Sequence, residues 1–476
     1  KAAEIYEQGL SLSREVKDRV MEARLLNNLA MLYDRTGRFE DVLRVSEQAL
    51  ALYRANQDRA GEGRVLSTVA YAWLFSGYHQ KAIDLGLQAL SIHREFKAVQ
   101  SEATTLHNLG NAHIRLNQFE QAAEYYQQSL AIKREINDRT GTLRSLLGLG
   151  NALAAAGKPE EAWPILNEAL PLTRELKDRR LEANALVSLG QAMDRQRRSA
   201  QAVEYYTQAL ALHRDIRDRS EESRTLEMIG NAYLGLHQWA EALKFLEQGQ
   251  AINREVSDRE TELLLLYGIG LAEMGRENND RAREYLEQAL RLAESLRSQF
   301  FNQALRTSFF STGQDIYATY VALLMRLHEQ RPTEGFDTLA LQANERGRVR
   351  NLLEQLAENR QDIRRGVAPA LIESLNALQR SLNIKAARRE ILAADAQNSA
   401  QLANLDKEIA ELVREQEQVQ AQIRSQSPRY AALTQPTPLT AREIQNLLDA
   451  NTVLLEYALD EKQSWLWLLT PTALKT

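Results

Sequence analysis

The chain has 476 residues, 26% of them charged, a formal net charge of −5 and no cysteine. The acidic balance argues against a global cationic footprint for nucleic acid, and the missing thiols exclude disulfides, thiolate metal sites and cysteine nucleophiles among these residues. No stretch of ~18 apolar residues and no signal-like N-terminus is present, so neither a membrane span nor secretion is indicated, and cytoplasmic placement is the default expectation.

From the N-terminus, one residue pattern returns every 40 positions for almost three hundred residues. Leucine recurs at Leu26, Leu66, Leu106, Leu146, Leu186, Leu226 and Leu266. Four residues on, the side chain is always tiny: Ala30, Ala70, Gly110, Gly150, Gly190, Gly230 and Gly270. With Leu109 and His113, Leu106 and Gly110 share one face of a first helix, and the glycine marks a place where a neighbouring backbone is expected to come close. Gly37, Gly77, Asn117 and Gly157 mark the turn that follows, because they tolerate the left-handed conformation that ends a helix. A second helix then carries small columns at Ala82, Ala122, Ala162, Ala202, Ala242 and Ala282, and at Ala49, Ala89, Ser129, Ala169, Ala209, Gly249 and Ala289. Small residues there let two helices cross at short range.

Asp-Arg pairs punctuate the units at Asp18, Asp58, Asp138, Asp178, Asp218 and Asp258. The aspartate suits a helix N-cap, and Glu22, Glu62, Glu102, Glu182, Glu222 and Glu262 place negative charge in the next first turn. Arg14, Arg54, Arg94, Arg134, Arg174, Arg214 and Arg254 stand near the end of each second helix, where a cation is stabilising on its own account. The junction at Lys97–Ser101 lacks the Asp and is the expected soft joint. Such a repeat implies a stacked array in which no unit buries its apolar face alone, here an orphan helix plus seven pairs over residues 1–297.

The small, leucine and alanine columns resemble the tetratricopeptide repeat, whose period is 34 residues with Trp where this chain has Leu. The longer unit, as in Thr225-Leu226-Glu227-Met228-Ile229-Gly230-Asn231-Ala232-Tyr233, resembles the 40-residue subclass of kinesin light chains and spindle-orientation adaptors. The resemblance implies an all-α, right-handed α-solenoid of helix pairs with a concave groove lined by the first helices. Two positions before the leucine column stand Arg24, Arg64, Thr104, Arg144, Asn184, Arg224 and Leu264. Four residues later come Asn28, Thr68, Asn108, Gly148, Ser188, Met228 and Gly268, and three later still Met31, Tyr71, Asn111, Asn151, Gln191, Asn231 and Leu271. These positions form one stripe at helical spacing. Arg24, Asn28, Arg64, Asn108, Asn111, Arg144, Asn151, Asn184, Arg224 and Asn231 are the candidate peptide-binding residues, since guanidinium forks grip carboxylates and amides pair with peptide backbone. Leu264, Gly268 and Leu271 make the seventh stripe apolar, and the chain's own downstream helices are expected to fill it.

Beyond residue 297 the register fails. A degenerate capping helix pair is expected over 298–365, then an antiparallel heptad hairpin over 366–427, seamed by Leu371, Leu375, Leu378 and Leu382 against Leu402, Leu405, Ile409, Leu412, Gln416, Val419 and Ile423. A proline-marked linker (428–444), with a short helix from Ala441, leads into 445–476. There Val453–Tyr457 and Ser464–Leu469 read as the first β-strands of a truncated α/β domain, with Trp465 and Trp467 awaiting a further sheet layer. The chain is thus expected to be a fragment at both ends.

The runs Leu305–Ser311, Asn344-Glu345-Arg346-Gly347-Arg348, Ser427–Leu433 and Leu454-Leu455-Glu456-Tyr457, spread over about 170 residues in one order, resemble the region that joins tetratricopeptide arrays to CHAT domains, the caspase-like cysteine peptidase modules of bacteria. In that family a later His and Cys carry the chemistry; this chain has no Cys and its last His is His328, so no catalytic residue carries over. Among the other signals, His107 and His113 lack metal-ligand spacing, no phosphate loop occurs, and no cofactor or metal is expected. Trp73, Trp163 and Trp239 read as core. The leading expectation is a protein-interaction module that binds an extended, acidic peptide or protein and serves as the sensor arm of a CHAT-type peptidase, with no enzymatic activity, nucleic acid or membrane of its own. The alternative is a non-enzymatic adaptor or scaffold in signalling assemblies. A later His and Cys would separate the two.

Overall fold

In the computed structural model the described residues are 2–36, 38–297, 303–358, 367–393, 399–427, 439–459 and 463–476. They are organised in two compact units, one formed by Lys1–Glu221 with Asn376–Glu415, the other by Glu222–Leu375 with Gln416–Thr476. The architecture is a repeated solenoid of helix pairs with a few antiparallel strands near the C-terminus.

In the first unit, the helix α1 (Ala2–Glu15) precedes five pairs: α2 (Arg19–Arg35) with α3 (Phe39–Ala55), α4 (Arg59–Phe75) with α5 (His79–Glu95), α6 (Val99–Ile114) with α7 (Phe119–Glu135), α8 (Arg139–Ala155) with α9 (Pro159–Glu175), and α10 (Arg179–Arg195) with α11 (Ser199–Asp215). The leucine column is buried, with Leu106 and Leu146 at 0% exposure. The aspartates cap as their position requires: Asp18, Asp58, Asp138 and Asp178 accept from the backbone N–H of Met21, Gly61, Gly141 and Leu181 at 2.7–3.0 Å. At the odd junction Ala98 occupies the cap position without a side-chain bond.

The arginine column does more than answer the helix dipole. Arg14, Arg54, Arg94 and Arg174 each bond the first-turn glutamate of the next pair, at 2.7 Å in every case. Arg14 and Arg94 also reach Gln48 and Gln128 on the following second helix at 3.2 Å. One side chain therefore ties three helices together, and its role is a clamp between modules.

At the tiny column the neighbour is a side chain rather than a backbone. A Cβ at Gly110, Gly150 or Gly190 would lie 2.8, 2.5 or 2.4 Å from Tyr126, Leu166 or Tyr206, the residue sixteen positions later on the partner helix. Where the earlier residue is Ala30 or Ala70, the later one shrinks to Ser46 or Gly86, so volume is conserved across the pair. Turns follow the same economy. Gly77, Asn117 and Gly157 have positive φ between the helices of a pair, while Gly37 lies outside the described residues. Lys17, Gln57, Lys97, Asn137 and Lys177 take the same left-handed conformation between pairs, each one position before the cap or its equivalent. Ordinary side chains are tolerated there because backbone bonds close the turn, as in Lys17 N–H to Arg14 O and Asp18 N–H to Ser13 O.

The second unit begins inside α12 (Arg219–Gly235), at Glu222, and contains α13 (Trp239–Val256), α14 (Arg259–Gly275), α15 (Asn279–Arg297), α16 (Gln303–Gln330) and α17 (Phe336–Glu358). Two long helices, α18 (Pro369–Ala393) and α19 (Ser399–Gln426), are each divided between the units. They pair antiparallel. Leu375 and Ile423 share a small core with Leu371 and Val419, and farther along Lys385 bonds Glu408 at 2.5 Å and Arg389 bonds Asp406 at 2.6 Å. The proline-marked stretch 428–438 lies outside the described residues.

After the short helix α20 (Ala441–Leu447) come three strands, β1 (Leu454–Leu459), β2 (Ser464–Leu469) and β3 (Leu474–Lys475), in an antiparallel sheet of order β1-β2-β3. The expectation that the strand tryptophans wait for another layer is corrected here. Trp467 is fully buried in a core with Val321, Leu324, Phe336 and Leu341, and its indole N–H donates to Asp337 O at 3.1 Å. The chain's own α16 and α17 supply the layer. On the opposite face Leu455, Tyr457 and Leu466 are exposed.

Candidate peptide-binding stripe

The stripe is built on first helices whose other face is locked into the core, so its side chains are positioned by packing they do not themselves make. In the first unit Arg24, Arg64, Arg144 and Asn184 are exposed, as are Asn28 and Asn151, while Asn108 and Asn111 are half-buried. Arg24, Arg64 and Arg144 pair with no carboxylate among the described residues, in contrast to Arg14, Arg54, Arg94 and Arg174, which all do. Arg64 instead stands over the Tyr53 ring, 5.9 Å from its centroid.

Behind the stripe lies an aromatic and basic layer. Tyr126 fits against both Gly110 and Gly148, and its hydroxyl donates to Asn111 Oδ1 at 2.6 Å. This fixes the amide with its donor end as the group it presents. His107 stacks edge-on against Tyr126 at 5.3 Å, and burial, with help from Lys133 and Arg144, pushes its pKa down to about 3, so the ring is neutral. Lys133 is itself 5% exposed, with its pKa lowered chiefly by burial. Its charge beneath the stripe had no signal in the sequence except that it replaces Tyr53, His93 and Thr173 of the other units. Tyr71 is pushed up to about 12 by burial, with the nearby Asp34 adding to the shift and Arg144 opposing it. Asp34 is raised to about 6 by burial alone.

In the second unit the candidates are differently placed. Arg224 is half-buried and lies 3.8 Å from Asp258, and Asn231 donates to Glu227. Both are engaged within the chain, which sets them apart from the arginines of the first unit. Leu264 and Leu271 are half-buried, and α16 is held beside α14 by Tyr267 to Thr319 at 3.1 Å and Arg326 to Met274 O at 3.4 Å. Of the tryptophans read as core, Trp163 is 38% exposed, whereas Trp239 packs on Gly275. Among the described residues no group of His, Asp and Glu has the arrangement of a metal site, and no helix is long and apolar enough to cross a membrane.

The two C-terminal motifs that stand far apart in sequence meet in space. Asn344 donates to Glu456 Oε1 at 2.6 Å, and Arg348 lies 4.0 Å from the same carboxyl. Glu456 is 2% exposed, and burial raises its pKa to about 7, with Glu345 adding to the shift.

The tetratricopeptide repeat family model matches residues 1–55, 64–135, 141–215 and 221–295, together more than half of the chain. No curated protein matches the sequence significantly. Among solved structures, the signal transduction ATPase with a tetratricopeptide repeat sensor from Pyrococcus horikoshii aligns with TM-score 0.53 at 16% identity, over 75% of this chain and 54% of that one. The apo form of RapI aligns with TM-score 0.48 at 14% identity, over 58% of this chain and 99% of that one. Kinesin light chain repeats from Podosopora anserina align with TM-score 0.36 at 22% identity, over 40% and 95%. The buried leucine column, the tiny column opposite Tyr126 and Leu166, and the matched residues agree: the chain belongs to the tetratricopeptide repeat family.

Proposed function

We propose that this chain binds an extended, acidic peptide or protein segment along the stripe of its first unit, which forms the lining of a concave groove. The observation that carries the reading is the contrast between two arginine columns in one array. At the module joints Arg14, Arg54, Arg94, Arg134 and Arg174 are taken up in ion pairs, whereas Arg24, Arg64 and Arg144 of the stripe have no carboxylate partner among the described residues. Each exposed arginine–carboxylate contact contributes only ~0.2–1 kcal/mol, so useful affinity requires several repeats to engage one ligand together. Half-buried Asn108 and Asn111 between the arginines serve the ligand backbone.

The C-terminal region supports a larger role as the sensor arm of a CHAT-type, caspase-like peptidase whose catalytic His and Cys are not among these residues. What supports it is that the Asn344–Arg348 and Leu454–Tyr457 runs meet at the buried carboxyl of Glu456, which Asn344 bonds and Arg348 approaches. Tested with a fluorescein-labelled deca-glutamate peptide, the R24E/R64E/R144E variant is expected to bind at least about tenfold more weakly than the wild type, with the wild-type affinity falling as salt rises. Equal affinity of the two proteins rules out the stripe as the recognition surface.

A further inference from the structure

Within the first unit, α18 touches the repeat array through hydrogen bonds that join residues more than 300 positions apart. Asn383 donates to Ser76 O at 3.1 Å, in the turn between α4 and α5. Gln379 donates to Asn383 Oδ1 at 2.8 Å and so fixes the amide in that orientation. Ser381 donates to Glu40 Oε1 at 3.2 Å, in the first turn of α3. Ile384 is 8% exposed and belongs to the core of the first two repeats, in the cluster of Phe39, Val42 and Val69 on which Tyr71, Trp73 and Phe75 pack. Gly77 is the shape partner of this contact. It has φ +82°, and a Cβ there would lie 2.4 Å from the Asn383 amide nitrogen.

The contact is small by design of its parts: one apolar anchor and a few hydrogen bonds, one of them exposed. The repeats beneath it also carry their own buried columns, such as Leu26, Leu66, Ala30 and Ala49. Phe39 stacks on Phe75 at 5.0 Å, and Phe75 meets Tyr71 at 4.7 Å. Tyr71 is a stripe residue. The aromatic group that receives Ile384 is therefore continuous with the surface assigned to the ligand.

We propose that residues 379–384 are a latch that docks reversibly on the turns of the first two repeats, and that a ligand extending to Tyr71 competes with it, so that peptide binding releases the hairpin. The competition rests on the groove reading above; the docking does not. Because residues 379–384 lie within a helix of 25 residues, release changes the state of a long element from a small contact, which is the property a sensor arm requires.

The test uses the full 476-residue chain. N383A/I384D removes the latch's anchor and leaves the repeats untouched. E40C/S381C, in a chain with no native cysteine, allows the contact to be locked with a short bismaleimide. In the first variant hydrogen–deuterium exchange is expected to accelerate about tenfold at residues 76–78 and 379–384, with the urea midpoint of the array unchanged. The deca-glutamate probe is expected to bind about fivefold more tightly to the released form than to the locked form. Unchanged exchange overturns the docking. Faster exchange with equal probe affinity in the released and locked forms overturns the competition. Absence of probe binding in every form defeats the groove reading and the competition with it, while exchange still decides the latch.

Discussion

Replacing Gly190 with alanine is expected to destabilise the first unit by about 1–3 kcal/mol, against the usual sign of such a change. In an unconstrained helix interior, Gly→Ala stabilises by roughly 0.5–1 kcal/mol, because glycine loses more backbone freedom on folding. Here the new methyl would sit 2.4 Å from Tyr206 Cε1 and 2.6 Å from Cδ1. The ring cannot swing away. It is 2% exposed, and its hydroxyl is tied to Asp194 Oδ2 at 3.0 Å. Sterics therefore outweigh propensity. The chain itself states the remedy, since Ala30 faces Ser46 and Ala70 faces Gly86 at the same two columns. Y206S alone should cost several kcal/mol through the cavity it opens, roughly the 3–5 kcal/mol seen for large aromatic truncations. In G190A/Y206S the two costs should not add; a coupling of at least ~1 kcal/mol in favour of the pair is expected from urea unfolding of all four proteins. Simple additivity would show that the tiny column is not set by its partner.

The second large effect concerns pH and lies in the second unit. Glu456 has its pKa raised from an ordinary 4.5 to about 7, first by burial and then by Glu345, with Asn344 and Arg348 opposing. A carboxyl whose folded pKa is raised favours folding in its protonated form. Its contribution is fully present below pH 4.5, the unfolded value, and is lost as pH climbs through 7, where the folded group must ionise. At about 1.4 kcal/mol per unit, the loss is on the order of 3–4 kcal/mol between those limits. E456Q imitates the protonated state: its carbonyl accepts from Asn344, and its amide can donate to Glu345. The variant is expected to match the wild type near pH 4.5 and to exceed it by that margin near pH 8, measured as the difference between their urea unfolding curves. A difference independent of pH would mean that Glu456 does not change protonation in this range.

How much of this was legible in the sequence depends on the kind of force involved. The leucine and alanine columns announced the helix pairs, because burial of a periodic face repeats with the residues that make it. Aspartate caps were legible for the same local reason. The joint arginines were placed correctly but explained incompletely: the dipole of their own helix is a local fact, whereas the bonds to Glu22, Glu62, Glu102 and Glu182 need the angle between modules. Left-handed Lys17 and Lys177 escaped because the turn is closed by backbone bonds, which leave no mark on residue type. The partner of each tiny residue sits sixteen positions away on another helix and emerges only when Ala30 is compared with Gly190. The two C-terminal strands were legible as apolar β-rich runs, but what covers them was not. That Trp467 would find its cover on α17, 130 residues earlier, follows from tertiary packing alone. Within the candidate site, the stripe could be counted from the leucine column, but the distinction between Arg144, with no carboxylate partner among the described residues, and engaged Arg224 required neighbours from the following module.

The account depends on the first-helix stripe, and not the second helices, being the surface that meets a ligand. Its most direct test is photo-crosslinking of the full chain with a deca-glutamate peptide carrying a benzophenone, followed by peptide mapping. Adducts are expected on the first helices at Thr104, Asn108, Asn111, Arg144 and Asn151. Adducts confined to the second helices, for example around Gln128 or Glu168, would contradict it.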